Sequence, residues 1–183
     1  QDQENFKENL KIINNQIRQI GHLVNEFSDF ARMPKPILKL NNLTQILKDN
    51  IKLLSEIDRT IKIELIKNPN DIFYESDKEQ LSRVFFNLIK NSIESIQQKN
   101  EKNSRFNKKI TIEIFKRNNH ISIIIIDSGV GFETFKSNIK DILNPYFTTK
   151  KNGTGLGLSI VNKIVNDHNG NINFIQIDEG AKI

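Results

Sequence analysis

The chain has 183 residues, of which 27% are charged and 37% hydrophobic, and its net charge at pH 7 is +5. Such a chain is long enough for one domain with a substantial core plus an appended helix, which excludes a mini-protein. The lack of cysteine excludes disulfides and thiolate metal sites, and the longest apolar run, residues 121–126, is too short to cross a membrane.

The two ends of the chain predict a piece of a longer protein, because it begins with Gln1 rather than Met and stops within a strand candidate at Ile183. No signal peptide is present, so we expect a cytoplasmic protein or the cytoplasmic part of a membrane-bound one. Lysines are scattered except in residues 99–109. We interpret that segment as a solvated mobile loop, and no nucleic-acid partner is expected.

Residues 1–32 carry apolar side chains at alternating spacings of four and three, which predicts a long helix paired with another helix. The partner would come from a segment outside this chain or from a second subunit. Pro34 and Pro36 end the helix, because proline lacks a backbone donor and restricts the residue before it. We therefore predict a helical segment 1–33, a linker 34–36 and a domain 37–183. The apolar seam is formed by Phe6, Leu10, Ile13, Ile17, Ile20, Val24 and Phe27.

The first part of the predicted domain contains a short extended piece at 37–40 and a helix from a cap at Asn42 to about residue 57. Alternation over residues 60–67 predicts a half-buried strand, and residues 68–71 read as a turn before a short strand at 72–74. A helix capped by Ser76 or Asp77 then runs to about residue 98. Its apolar stripe consists of Leu81, Val84, Phe85, Leu88, Ser92, Ile93 and Ile96.

Two asparagines and a glutamate lie beside the stripe of this last helix. Asn87 and Asn91 are four residues apart and therefore face the same side, with Glu94 next to them. The two asparagines are either exposed surface amides or functional residues, since asparagine is a poor helix former. Ligation of Mg²⁺ by an amide oxygen is such a function, because Mg²⁺ bound to a nucleotide needs only one or two protein oxygens.

Two more strands are predicted, at residues 109–116 and 121–126, and the second is apolar enough to be a central strand buried on both faces. It ends at Asp127, which Gly129 and Gly131 follow closely. The carboxylate is either part of a turn or an acceptor for a ligand amine, with the glycines admitting a flat base.

A glycine-spaced loop, with Gly153, Gly155 and Gly157, leads into a helix whose apolar stripe begins at Leu158. Glycine-rich turns before helices are often only flexible connections. They are also suited to hold an anion, because backbone amides approach it closely at the positive end of the helix dipole.

Four segments together resemble the N, first glycine, F and second glycine boxes of sensor histidine kinases. They are NLIKN at 87–91, DSGVGF at 127–132, NPYFTTK at 144–150 and GTGLGLSIV at 153–161. With NEFSDFARMPKP at 25–36, the chain is most similar to the nitrogen-regulation NtrY type. The resemblance implies a Bergerat-type (GHKL) α+β two-layer sandwich, a mixed sheet with helices on one face, preceded by part of a dimerisation hairpin.

The same resemblance implies a site for ATP and Mg²⁺. Asn91 would ligate Mg²⁺ with help from Asn87 near the phosphates, and Asp127 would accept from the adenine amino group. The nucleotide would also contact the glycines of the base pocket and residues of a lid over 147–157. Those residues are Gly129, Gly131, Phe147, Lys150, Thr154, Gly155, Leu156, Gly157 and Leu158.

The implied activity is transfer of the ATP γ-phosphoryl group to a histidine outside this chain and then to a response regulator receiver domain, in a homodimeric full-length protein. His22 lacks the acidic neighbour of the family's acceptor, so we interpret it as an exposed helical histidine. Glu94 stands where many such kinases carry Lys or Arg, so Lys90, Lys150 or Lys151 would contact phosphate instead. The alternatives are a gyrase- or MutL-type ATPase, disfavoured because Asn87 stands where those enzymes carry a catalytic Glu, and a nucleotide-sensing module without phosphotransfer.

Overall fold

The structure is a computed structural model that describes residues 2–67, 70–102, 105–118, 120–132, 139–148, 150 and 153–183. Within these ranges the helices are α1 Asp2–Ala31, α2 Leu43–Leu54, α3 Lys78–Lys102 and α4 Gly157–Asp167, with a 3-10 helix at Ile139–Leu143. The strands are β1 Lys39–Asn42, β2 Lys62–Lys67, β3 Phe73–Ser76, β4 Lys109–Arg117, β5 His120–Asp127, β6 Ile175–Ile177 and β7 Gly180–Lys182. None of the helices described is long and apolar enough to cross a membrane.

A mixed five-stranded sheet in the order β2-β4-β5-β7-β6 forms one layer of the fold. The β2–β4 pair is parallel, and the β4–β5, β5–β7 and β6–β7 pairs are antiparallel. Strands β1 and β3 form a separate antiparallel pair. The alternating isoleucines of β4, Ile110, Ile112 and Ile114, are all buried. This topology confirms the predicted two-layer sandwich with a mixed sheet.

Helices α2, α3 and α4 form the second layer, and α3 contacts both other helices and the central strands. Every residue of the predicted α3 stripe is buried, which confirms its helical period. The predicted cap of α2 is also confirmed, because the Asn42 side chain accepts a hydrogen bond from the Gln45 N–H at 3.0 Å.

Two sequence predictions about these elements are wrong. Strand β5 is central in the sheet, but only Ile125 and Asp127 are buried and its other apolar side chains are partly exposed. The helices cover one face of the sheet, so an apolar run does not require burial on both faces. The loop predicted at residues 99–109 is also shorter, because α3 continues to Lys102. Lys99 donates to the Ser128 carbonyl oxygen at 2.9 Å and lies over the Phe106 ring.

Helix α1 has the predicted length, and its apolar seam faces solvent. All seven seam residues are exposed, from 43% for Leu10 to 63% for Phe6. Near the end of α1 the Phe27 ring stacks on Tyr146, with centroids 6.4 Å apart. The pairing of this seam with another helix stays a prediction.

A buried histidine joins the end of α4 to the start of α3. His168 Nε2 accepts from the Asp77 N–H at 3.0 Å, and its Nδ1 donates to the Ile164 carbonyl oxygen at 2.8 Å. Asp77 itself caps α3 through the Glu79 and Gln80 N–H groups. Burial acts to raise the pKa of Asp77, but backbone donors, including the Ile37 N–H, outweigh it and hold that pKa below its usual range. The two helices that carry the glycine loop and the asparagines are thus fixed to each other.

Replacing this histidine should destabilise the fold. His168→Ala would leave the partly buried Asp77 N–H without its acceptor, so we expect the free energy of unfolding to fall by about 1–3 kcal/mol in urea titrations. His120→Thr at the exposed start of β5 is the control and should change it by less than about 0.5 kcal/mol. Equal stability of the two variants would show that the His168 bonds do not hold the helices together.

Candidate functional site

Three parts of the fold converge beside α3: the end of β5, the described residues of 144–157 and the first turn of α4. Ser92 of α3 donates to Asp127 Oδ2 at 3.2 Å. A Cβ placed on Gly157 would lie 3.7 Å from Asn87 Oδ1, so this amide lies against the start of α4. Lys150 Nζ donates to Asn91 Oδ1 at 3.0 Å. Residues that are far apart in the sequence therefore surround one region.

Asp127 is a buried carboxylate at the last position of β5, with only 4% of its surface exposed. Its Oδ1 accepts from the Gly129 N–H at 2.9 Å, and its Oδ2 accepts from the Ser92 hydroxyl. Burial raises the pKa of Asp127, although these donors oppose the shift. Because each carboxylate oxygen can accept two hydrogen bonds, Asp127 retains capacity to accept from a ligand.

The glycine turn after Asp127 lies directly on α3. A Cβ on Gly129 would lie 2.1 Å from Ser95 Oγ and 2.7 Å from the Ser95 backbone carbon, and the Ser95 hydroxyl accepts from the Val130 N–H at 3.1 Å. Only glycine permits this approach at position 129. Gly131 has a positive φ of 67°, and Gln176 of β6 accepts from the Phe132 N–H. The turn is therefore held between α3 and β6.

The two asparagines of α3 face the same region, as their spacing predicted, and both are partly buried. The Asn91 amide oxygen accepts from the Lys150 ammonium, which also pairs with Glu94 Oε2. Asn91 Oδ1 is thus oriented toward a position that a cation occupies. This contact fits the chemistry of an amide oxygen that ligates a metal ion.

The glycine loop forms a tight arrangement before α4. Gly155 has a positive φ of 69°, its carbonyl oxygen accepts from the Tyr146 N–H at 3.0 Å, and a Cβ there would lie 2.4 Å from the Tyr146 backbone. The N-cap residue is the buried Leu156, whose apolar side chain cannot accept a hydrogen bond. The N–H groups of the first turn of α4 lie at the positive end of the helix dipole, which favours an anion there.

The structure brings most of the predicted site residues together. Asp127 and Gly129 contact Ser92 and Ser95 of α3, Asn91 contacts Lys150, and Asn87 lies against Gly157. Leu156 is buried and Leu158 packs on the core, whereas Phe147 and Thr154 are partly exposed. Lys151 and the His22 side chain lie outside the described residues. The ligand contacts of all these residues remain predictions.

Sequence reasoning missed the residues that support the site. Ser92 was assigned only to the apolar stripe, although it donates to Asp127. Ser95 and Gln176 carried no signal, because their roles depend on the approach of distant segments. Glu94 was placed beside Asn87 and Asn91 and noted as a departure from a family pattern, but its contact with Lys150 was not predicted. Its partner Lys150 is 56 residues away, so no local spacing could show the pair.

This combination of a one-sided mixed sheet, a buried carboxylate beside a glycine turn and a glycine loop at a helix N-terminus defines an ATP-binding fold. Residues 76–183 match the family model of histidine kinase-, DNA gyrase B- and HSP90-like ATPases. The match covers more than half of the chain, and the chain belongs to this family.

Within this family, the similar relatives and solved structures are sensor histidine kinases. The chain is 32% identical over 180 residues to the nitrogen regulation protein NtrY of Azorhizobium caulinodans, covering 98% of this chain and 23% of that protein. The catalytic domain of histidine kinase ThkA has a TM-score of 0.66 at 28% identity, covering 79% of this chain and 91% of the other. ThkA in complex with the response regulator protein TrrA has a TM-score of 0.72 at 23% identity, over 97% of this chain and 49% of the other. The chain thus has the catalytic-domain fold of sensor histidine kinases and spans about a quarter of its first curated relative.

The contact between the glycine turn and α3 can be tested by adding one methyl group. Gly129→Ala would overlap Ser95, so we expect the free energy of unfolding to fall by about 1–3 kcal/mol in urea titrations. Gly21→Ala is the matched control, because a Cβ on Gly21 of α1 meets nothing within 4 Å. That variant should be unchanged or more stable by up to about 1 kcal/mol. Wild-type stability of Gly129→Ala would show that the turn does not lie on α3 in solution.

Because Asp127 is buried, we predict that the Asp127→Asn substitution increases the stability of the fold and that this increase depends on pH. The raised pKa of Asp127 means that the folded protein holds the proton more tightly than the unfolded chain, so the charge costs stability above that pKa. Asp127→Asn should therefore have a higher urea midpoint than the wild type near neutral pH. The difference should disappear below about pH 3.9, where the aspartate is protonated in both states. A lower midpoint of the variant at neutral pH would contradict this.

Proposed function

We propose that this chain binds ATP with Mg²⁺ and transfers the γ-phosphoryl group to a histidine outside the chain, from which it passes to an aspartate of a response regulator receiver domain. The observation that carries the proposal is the convergence of Asp127, Asn91 and the first turn of α4 around one region of α3. Asp127 would act as the base acceptor, Asn91 as the cation ligand and the first turn of α4 as the anion site, in the order that a nucleotide needs.

The adenine end of the nucleotide would lie at Asp127. A buried carboxylate selects a base that presents an amino group, and a hydrogen bond to a charged group contributes about 1.5–3 kcal/mol. Gly129 and Gly131 keep the turn beside it free of side chains. Support for this assignment comes from the remaining acceptor capacity of Asp127, which Ser92 and Gly129 leave partly unused.

The phosphate end would lie between α3 and α4. The amides of Gly155 and Gly157 and the first turn of α4 supply N–H donors, and Lys150 supplies a positive charge. Phe147 and Thr154 belong to the predicted lid beside them. Asn91 would hold Mg²⁺ through its amide oxygen with Asn87 nearby, and the bound cation would neutralise charge on the phosphates.

In this phosphoryl transfer the residues would position the nucleotide and neutralise its charge, and none of them would act as a nucleophile. A ring nitrogen of the acceptor histidine would form a bond to the γ-phosphorus while the bond to the bridging oxygen breaks and ADP leaves with that oxygen. The histidine loses its proton to solvent. In ATPases of this fold a glutamate four residues before the metal ligand activates water, and here that residue is Asn87, so transfer to histidine is favoured over hydrolysis.

A second function, nucleotide sensing without phosphotransfer, is favoured by one contact. The Phe27 ring of α1 stacks on Tyr146, which precedes the predicted lid. A nucleotide that moved this segment would change the surroundings of α1 without any chemistry. Both functions use the same nucleotide site, and both place the chain on the cytoplasmic side in a homodimeric parent protein.

Nucleotide binding is tested by calorimetry with ADP in the presence of Mg²⁺. Asp127→Asn should weaken ADP binding roughly ten- to hundredfold, because a hydrogen bond to a charged acceptor is lost. Asn91→Ala should reduce the gain in ADP affinity that Mg²⁺ provides. Asn70→Ala, at an exposed position between β2 and β3, is the control and should bind as the wild type does. Unchanged ADP affinity in Asp127→Asn would remove Asp127 from the site.

Phosphotransfer is tested by incubating the protein and γ-labelled ATP with a polypeptide that carries the preceding histidine-bearing helix. We expect acid-labile label on that histidine, and onward transfer when a receiver domain is added. ADP binding without label would favour the sensing function. Label on His22 would show that the acceptor lies within this chain.

A further inference from the structure

The lid lysine makes two contacts with α3 that no motif assigns. Lys150 Nζ donates to Asn91 Oδ1 at 3.0 Å and forms an ion pair with Glu94 Oε2. Lys90 Nζ lies 3.8 Å from Glu94 Oε1. One carboxylate thus lies between two ammonium groups, beside the amide oxygen that would hold Mg²⁺.

Several restraints fix Lys150 in this place. Asn91 and Glu94 are three residues apart and lie on the same face of α3, so one ammonium can reach both. The Lys150 N–H donates to Thr148 Oγ1 at 3.1 Å, and its carbonyl oxygen accepts from the Gly153 N–H at 3.1 Å. Exposed ion pairs are usually weak, but here a backbone turn and a second acceptor restrain the same side chain.

A metal ion on Asn91 would lie close to this ammonium. A ligand oxygen holds Mg²⁺ at about 2.1 Å, and the ammonium is 3.0 Å from the same oxygen. The two cations could therefore be no more than about 5 Å apart, which is inside the Debye length of about 8 Å at physiological salt. They would compete for one oxygen.

We propose that Glu94 is a positioning residue that holds the Lys150 ammonium at the Asn91 amide oxygen, so that Lys150 and a divalent cation are alternative positive charges at the phosphate end of the site. The inference rests on the proposed nucleotide site. When no metal is present, Lys150 supports nucleotide binding. When a divalent cation is present, Lys150 opposes its binding at Asn91. Glu94 acts through Lys150 and does not ligate the metal.

The experiment measures ADP affinity by calorimetry in excess EDTA and in Mg²⁺. The compared ratio is the dissociation constant in EDTA divided by that in Mg²⁺. Lys150→Met should weaken ADP binding in EDTA roughly tenfold, because a charge-assisted contact to phosphate is lost. Its affinity in Mg²⁺ should fall less, so the ratio rises several-fold. Glu94→Gln frees Lys150 from Asn91 while keeping the lysine, so its ratio should also rise, with little loss in EDTA.

Two further variants separate a positioning role from a structural one. The double variant Lys150→Met with Glu94→Gln should have the ratio of Lys150→Met alone, because Glu94 has no effect without the lysine. Lys62→Met is the control, since Lys62 pairs with Glu64 on the edge strand β2 and should leave the ratio unchanged. Adenosine, which lacks phosphate, should bind all variants equally.

Each remaining outcome overturns the inference. A lower ratio in Glu94→Gln would show that Glu94 ligates the metal, and an unchanged ratio would show that it does not position Lys150. A matching loss of adenosine affinity would indicate a structural role only. If wild-type protein does not bind ADP in Mg²⁺, the proposed function fails and the inference falls with it, whereas wild-type binding with unchanged ratios rejects the inference alone.

Discussion

The site depends on one buried charge, the carboxylate of Asp127. Burial of a charge is costly unless hydrogen bonds compensate for it, and here Ser92 and Gly129 donate to its two oxygens. The raised pKa shows that these donors do not fully offset the loss of water. Because Asp127 ends the central strand and Ser92 lies in the core face of α3, packing of the core fixes the carboxylate. The residue proposed to accept from the adenine amino group is thus one at which the protein gives up stability.

Helix α3 belongs both to the core and to the candidate site. One face is buried against the sheet and the other helices, and Asn87, Asn91 and Glu94 follow its edge. A shift of this helix along its axis would move Ser92 from Asp127 and Asn91 from Lys150 together. The bonds of His168 to Asp77 and Ile164 resist such a shift by fixing the start of α3 to the end of α4. Packing therefore sets the distance between the proposed base and phosphate ends of the site.

Periodicity and turn chemistry predicted much of this fold, because both act over a few residues. The stripe of α3, the cap at Asn42 and the position of Asp127 at a strand end could be predicted in this way. The half-exposed face of β5 could not, because an isoleucine run has no information on what covers each face of the sheet. Ser92 was hidden within an apolar stripe, and its role became visible only when β5 lay beside it.

The charges around Asn91 show why long-range pairing matters for the chemistry. A lysine in place of Glu94 would move with α3, so its charge would lie beside the proposed phosphate site independently of residues 144–157. Glu94 at that place attracts Lys150 from residues 144–157 instead, and Lys90 of α3 shares the same carboxylate. The positive charge at the proposed phosphate end therefore depends on the placement of Lys150 against α3. The hydrogen bonds of Lys150 with Thr148 and Gly153, and the contact of Gly155 with Tyr146, restrain that placement. In the proposed site the glycine loop would therefore act through the lysine as well as through its own amides.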